Sequence, residues 1–87
     1  MKDPQSVILY PQATEKSVKL IESENKLIFI VDNNASKSDV KMAIESLFDV
    51  KVKDVSTEVT PEGRKCAYVK LFPEFMADEI ASKLGMI

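Results

Sequence analysis

Eighty-seven residues, 45% hydrophobic and 30% charged, make one small domain near the size at which a single core becomes marginal. Two glycines and four prolines exclude a low-complexity chain. The longest apolar run, Leu27 to Val31, is far short of the roughly 20 residues of a membrane helix, and Met1-Lys2-Asp3-Pro4 leads into no apolar leader segment. Twelve Lys and Arg against fourteen Asp and Glu give a net charge of −2, without the basic excess usual in nucleic-acid binders.

Val7-Ile8-Leu9-Tyr10 is a short β-type run ended by Pro11. Thr14 is a candidate N-cap for a helix reaching about Ser23, with a thin apolar stripe of Val18, Leu20 and Ile21 and with Asn25 as its closing residue. Lys26 to Asp32 holds five consecutive apolar residues, which predicts a strand buried on both faces or central in the sheet. Asp32-Asn33-Asn34 is a turn cluster, and Ser36-x-x-Asp39 is a capping box opening a helix. In that helix Val40, Ala43, Ile44, Leu47 and Phe48 fall on one face, opposite Lys37, Lys41 and Glu45.

Val50 and Val52 alternate with Lys51 and Lys53, and this spacing places both lysines on one strand face. The apolar parity then slips to Val55, Thr57 and Val59, which predicts a β-bulge near Lys53-Asp54. Thr60-Pro61-Glu62-Gly63 is a tight hairpin loop, and Arg64 to Phe72 is the return strand. After Pro73, Met76, Ile80 and Leu84 predict a short amphipathic helix with Gly85 at its C′ position. Phe29, Phe48 and Phe72 are core candidates. The order β-α-β-α-β-β-α implies an α+β fold: residues 1–87 as a single domain, mainly an antiparallel four-stranded sheet with helices packed on it.

Catalytic chemistry has little to stand on. The chain has no histidine and one cysteine, Cys66, so a Cys/His nucleophile pair and a Cys/His zinc site are both excluded. A lone cysteine makes no internal disulfide and fits a reducing compartment. The scattered carboxylates lack calcium-loop spacing, and two glycines cannot build a phosphate-cradling loop. Ser36-Lys37 reads as a helix cap beside an exposed lysine rather than a catalytic dyad. No enzyme activity, cofactor, metal or small-molecule substrate is expected.

The basic residues leave two readings open. Lys16 and Lys19 belong to the first long helix, and Lys37 and Lys41 to the second. Lys51, Lys53, Arg64, Lys65 and Lys70 belong to the hairpin. Asn33, Asn34 and Ser36 add donors at a helix start, where the dipole favours anions. One reading is a solvated amphipathic surface; the other is contact with RNA phosphates and 2′-hydroxyls, with Tyr10 and Tyr68 stacking on splayed bases. For Tyr68 core packing is the open alternative. By composition alone the chain is also compatible with a free α+β protein-interaction or ligand-sensing module.

Ordered blocks over nearly the whole chain carry a resemblance. Tyr10-Pro11-Gln12-Ala13-Thr14-Glu15-Lys16 is followed by Asn25-Lys26-Leu27-Ile28-Phe29-Ile30-Val31-Asp32, Ala35-Ser36-Lys37, Leu47-Phe48-Asp49-Val50 and Lys51-Val52-Lys53. Val55-Ser56-Thr57, Pro61-Glu62-Gly63 and Lys65-Cys66-Ala67-Tyr68-Val69-Lys70-Leu71 complete the series. Together they resemble the ribosomal protein L23 family of the large subunit, in its archaeal-type short form. The resemblance implies a cytoplasmic structural protein that binds large-subunit rRNA at the rim of the polypeptide exit tunnel, beside neighbouring ribosomal proteins. It implies rRNA contact by Tyr10, Thr14, Lys16, Lys19, Asn33, Asn34, Ser36, Lys37, Lys41, Lys51, Lys53, Arg64, Lys65, Tyr68 and Lys70. It further implies a docking surface for the signal recognition particle or other nascent-chain factors at Gln12, Ala13, Thr14, Glu15 and Asp49. The hairpin loop is too short to match the long extension that bacterial members send into the tunnel.

Overall fold

The computed structural model describes residues 4–85, and its two long helices begin where short polar side chains satisfy the first free N–H groups. A single turn α1 (Pro4–Val7) leads into β1 (Ile8–Pro11), α2 (Glu15–Glu24), β2 (Lys26–Val31), α3 (Lys37–Phe48), β3 (Val52–Val59), β4 (Lys65–Leu71) and α4 (Ala77–Lys83). After the leading turn the order is the expected β-α-β-α-β-β-α. The reading of Met1-Lys2-Asp3 as free of a leader lies outside the described residues.

At α2, Thr14 Oγ1 accepts from the Ser17 N–H at 3.2 Å while Ser17 Oγ accepts from the Thr14 N–H at 2.7 Å. At α3, Ser36 and Asp39 close the expected box at 3.1 and 3.0 Å. Asn25 ends α2 in the left-handed region at φ 55°, and Asp49 ends α3 the same way at φ 54°. Both are residue types that tolerate that conformation.

The sheet order is β1-β2-β4-β3, with every neighbour antiparallel. β2 and β4 are central; β1 and β3 are edges. The expected bulge is present, since the β3–β4 register slips between Val52 and Asp54. The hairpin turns through Gly63 at φ 82°, with its N–H donated to the Thr60 carbonyl.

Strand alternation divides the side chains between two faces. Leu27, Phe29 and Val31 of β2, Ala67, Val69 and Leu71 of β4, and Val52 and Val55 of β3 join Val40, Ala43 and Ile44 of α3 and Ala77, Ile80 and Ala81 of α4 in the main core. A smaller cluster on the opposite face contains Ile28, Ile30 and Cys66, with Leu20 and Tyr68 packed against it. α2 supplies Ile21 to the first cluster and Leu20 to the second, so it straddles the sheet. Both clusters draw on β2, whose Leu27 to Val31 are all buried, as a run of continuous apolar residues predicts.

Several expectations are corrected. Val7 closes the α1 turn rather than opening a strand, while Pro11, opposite Phe29, is the last residue of β1 and ends it as expected. An edge strand needs no donor on its outer side, so Pro is tolerated there. Leu47 is 39% exposed, because the last turn of α3 turns Phe48 toward the sheet instead. Phe48 is itself only partly buried, stacked on Phe29 with ring centroids 6.1 Å apart. Phe72 is 38% exposed: it follows the inward Leu71, and parity sends it outward. Met76 is the N-cap of α4, outside the helical stripe, and stands exposed. Lys51 precedes β3 and Lys53 is its bulge residue, so the two do not share a strand face.

Candidate nucleic-acid interface

α3 and α4 cover one side of the sheet and leave the other partly open. Cross-strand pairs share a face in an antiparallel ladder, so the register orders the open side into three rows. Tyr10, Ile30, Cys66 and Glu58 form the first; Ile28, Tyr68 and Ser56 the second; Lys26, Lys70 and Asp54 the third. Two tyrosines thus flank a small apolar floor, with lysines at one end.

Lys16 leans over this face from α2, its Nζ 5.7 Å from the centroid of the Tyr68 ring, within the range of a cation–π contact. The Tyr68 hydroxyl donates a long 3.4 Å contact to Glu58 Oε2. Tyr10 is 44% exposed and Tyr68 partly so, so ring surface remains available for stacking. Among residues sharing this floor, Cys66 is buried. Burial pushes its thiol above the ordinary range, reinforced by the carboxylates of Glu58 and Glu62. The thiol therefore stays neutral at pH 7 and serves as a packing group.

The other basic candidates separate into distinct places. Lys19 pairs with Glu15 at 3.7 Å, both well exposed, a pair worth little in stability. Lys37 and Lys41 of α3 and Lys53 of β3 line one shallow groove with Ser38, Asp54 and Val55. Asn33, Asn34 and Arg64 are exposed near the hairpin end, with Asn33 and Arg64 lining a groove beside Leu9, Ile30 and Gly63. Lys51 is exposed before β3. Arg64 and Lys70 are six residues apart along the return strand, about 20 Å, so the hairpin lysines form no single cluster. Lys65 points to the helix side, where its Nζ donates to the Ala35 carbonyl at 2.6 Å and anchors the loop before α3.

Thr14 and Ser36 are both occupied as helix caps. Glu15 is exposed in the first turn of α2, beside exposed Ala13 and Thr14 and half-buried Gln12; Asp49 is exposed at the C-cap of α3. Lys26 escaped the sequence reading, as did the contribution of Ile28 and Ile30 to an open face. The available signal was the return strand, where Cys66, Tyr68 and Lys70 share one parity. Among the described residues no group of three or more His, Cys, Asp or Glu is placed to hold a metal, and no helix is long and apolar enough to cross a membrane.

Known proteins share this sequence along most of its length. The family model for Ribosomal protein L23 matches residues 6–76. The large ribosomal subunit protein uL23 of Methanococcus aeolicus is 52% identical over 84 residues, covering 97% of this chain and 98% of the relative. The large ribosomal subunit protein uL23 of Methanothermobacter thermautotrophicus is 51% identical over 84 residues, with the same coverage of both chains.

Proposed function

The chain belongs to the ribosomal protein L23 family, and from that membership we infer that its open sheet face is the side that grips rRNA. It is a structural constituent of the large ribosomal subunit, not an enzyme, and works in the cytoplasm with rRNA and other ribosomal proteins as partners. The observation that carries this reading is the aromatic, lysine-rimmed face: Tyr10 and Tyr68 flanking Ile28 and Ile30, with Lys16, Lys26 and Lys70 around them. Unpaired bases stack on such rings at about 1–3 kcal/mol each. The lysines meet phosphates, which suits an RNA read by shape and backbone. Arg64, Asn33 and Asn34 extend the contact at the hairpin end, and Lys19, Lys51, Thr14 and Ser36 at its margins. Lys65 contributes chiefly by holding the Ala35 loop.

The position within the subunit is the rim of the exit tunnel, next to neighbouring ribosomal proteins. Gln12, Ala13, Thr14 and Glu15, with Asp49, form the docking surface for the signal recognition particle or another nascent-chain factor. Support comes from the resemblance carried by Tyr10 to Lys16 and by Leu47 to Val50, and from the exposure of both carboxylates. Neither holds the core together; lysine at position 49, where φ is 54°, costs about 1 kcal/mol of backbone strain, which the fold absorbs.

One sedimentation experiment tests both parts. Tagged chain expressed in source cells is expected to migrate with large subunits through a high-salt gradient. Tyr10→Ala with Tyr68→Ala is expected to reduce that occupancy by about tenfold or more, from the loss of stacking on two bases. Glu15→Lys with Asp49→Lys is expected to sediment like the parent while its subunits bind signal recognition particle more slowly, with altered salt dependence. Parent-like occupancy of the tyrosine variant would remove the open face from the interface. Tagged chain left at the top of the gradient would point to a free interaction module.

A further inference from the structure

We propose that the groove between α3 and the start of β3 is a phosphate clamp, a second RNA contact separate from the tyrosine face. The proposal rests on the RNA-binding reading above and adds where a second stretch of backbone is held. Lys37 and Lys41 are one turn apart on α3, and Lys53 reaches the same groove from the opposite wall. All three are exposed, and no ion pair holds any of them among the described residues. The one carboxylate in the lining, Asp54, has its Oδ1 accepting from the Val55 N–H at 2.9 Å. Three ammonium groups against one carboxylate leave the groove net positive, which suits a run of phosphodiesters that lysine meets as a point charge without demanding a fixed orientation.

The bulge is the device that assembles this groove. In an unbroken ladder from the Val52–Leu71 pair, residue 53 would stand opposite Lys70 on the open face. Lys26 already stands opposite Lys70 from β2, so a third lysine in that row would add to the repulsion. The extra residue instead places Asp54 opposite Lys70, and Lys53 at the edge lines both the groove with Lys37 and Lys41 and a second hollow beside Lys70 and Asn25. A bulge that re-aims one side chain beside a binding surface is a recurrent use of the motif. Because β3 is the edge strand, an RNA that touches both the tyrosine face and this groove passes around that edge.

The test uses the full chain and an in vitro transcript of the source organism's large-subunit rRNA, with binding measured across a salt series. Lys37→Ala, Lys41→Ala and Lys53→Ala together are expected to lower the log–log salt slope by about 2–3, at roughly 0.7–0.9 per phosphate contact. Tyr10→Ala with Tyr68→Ala weakens binding with the slope nearly unchanged. A second readout tethers an iron–EDTA group to Lys41→Cys or to Lys53→Cys, the native Cys66 being buried. Both tethers are expected to cut the same short stretch of RNA, distinct from the stretch cut from Tyr10→Cys. A parent-like slope in the lysine variant, or cuts from positions 41 and 53 in unrelated stretches, overturns the clamp. If the tyrosine variant still weakens binding, the RNA reading survives that result. Failure of the parent chain to bind the transcript at all overturns both.

Discussion

Phe29→Ala lowers the stability of the domain by about 3–5 kcal/mol. Phe29 is almost completely buried at the centre of β2, paired with Ala67 on one side and Pro11 on the other, and its ring stacks on Phe48. Truncation leaves a cavity between the sheet and α3, and removes an aromatic pair worth about 0.5–1.5 kcal/mol beyond its area. At roughly 0.05–0.15 kcal/mol per residue, a chain of this length holds only about 4–13 kcal/mol in total. In urea, with a slope of about 1.2 kcal/mol/M, the midpoint is expected to fall by roughly 3 M, or the variant to be unfolded from the start. Phe48→Ala, partly buried, costs less, about 2–3 kcal/mol. Leu47→Ala costs about 1 kcal/mol or less, as expected of an exposed side chain. Equal losses at Phe29 and Leu47 would contradict the packing of α3 described above.

Asn25→Ala is expected to release α4 from the sheet. Asn25 ends α2 at φ 55°, yet its side chain serves a helix that starts 52 residues later: Oδ1 accepts from the Ala77 N–H at 2.7 Å, and Nδ2 donates to the Phe75 carbonyl at 2.9 Å. Met76, the N-cap by position, makes no side-chain capping bond, so Asn25 caps α4 from a distance. The alanine variant loses that cap, at about 1–2 kcal/mol, and puts in the left-handed region a residue that tolerates it less well than Asn, at up to about 1 kcal/mol more. Asn25→Gly keeps the backbone and loses only the cap, so the pair separates the two effects. Amide exchange of Ala77 to Ala81 is the readout: faster than the parent in the glycine variant, and faster still in the alanine variant. Parent-like exchange with glycine in place of Asn25 would mean that the cap contributes nothing.

What can be read in the sequence is what depends on near neighbours. Ser36 and Asp39 are three residues apart, so their capping box is visible in the string, and so is the parity slip that marks the Lys53 bulge. The misplaced residues depend on what lies across the fold. Periodicity names the face of α3 but not how far its packing extends, which is why it puts Leu47 inside. Hydrophobicity puts Phe72 in the core, while strand parity points it outward. The bonds from Lys65 to Ala35 and from Asn25 to Ala77 span 30 and 52 residues, and no local pattern announces them.

The candidate interface divides the same way. Residue types and the family resemblance mark the tyrosines and lysines, while only the register shows which of them share a surface. Tyr10 and Tyr68 lie on one open face because β1 and β4 flank β2 in neighbouring rows. Arg64 and Lys70, close in the string, lie at opposite ends of a strand. Lys65, between them, turns to the helix side.

Tyrosine modification inside the assembled particle tests the central claim most directly. Free chain and isolated large subunits are treated with the same nitrating reagent, and Tyr10 and Tyr68 are quantified by peptide mass spectrometry. In the free chain Tyr10, 44% exposed, is expected to react readily and Tyr68 more slowly. In the subunit both are expected to be protected several-fold, because each ring is covered by stacked RNA bases. Nitration of both residues in the subunit at the rates of the free chain would contradict the account and place the RNA on another face.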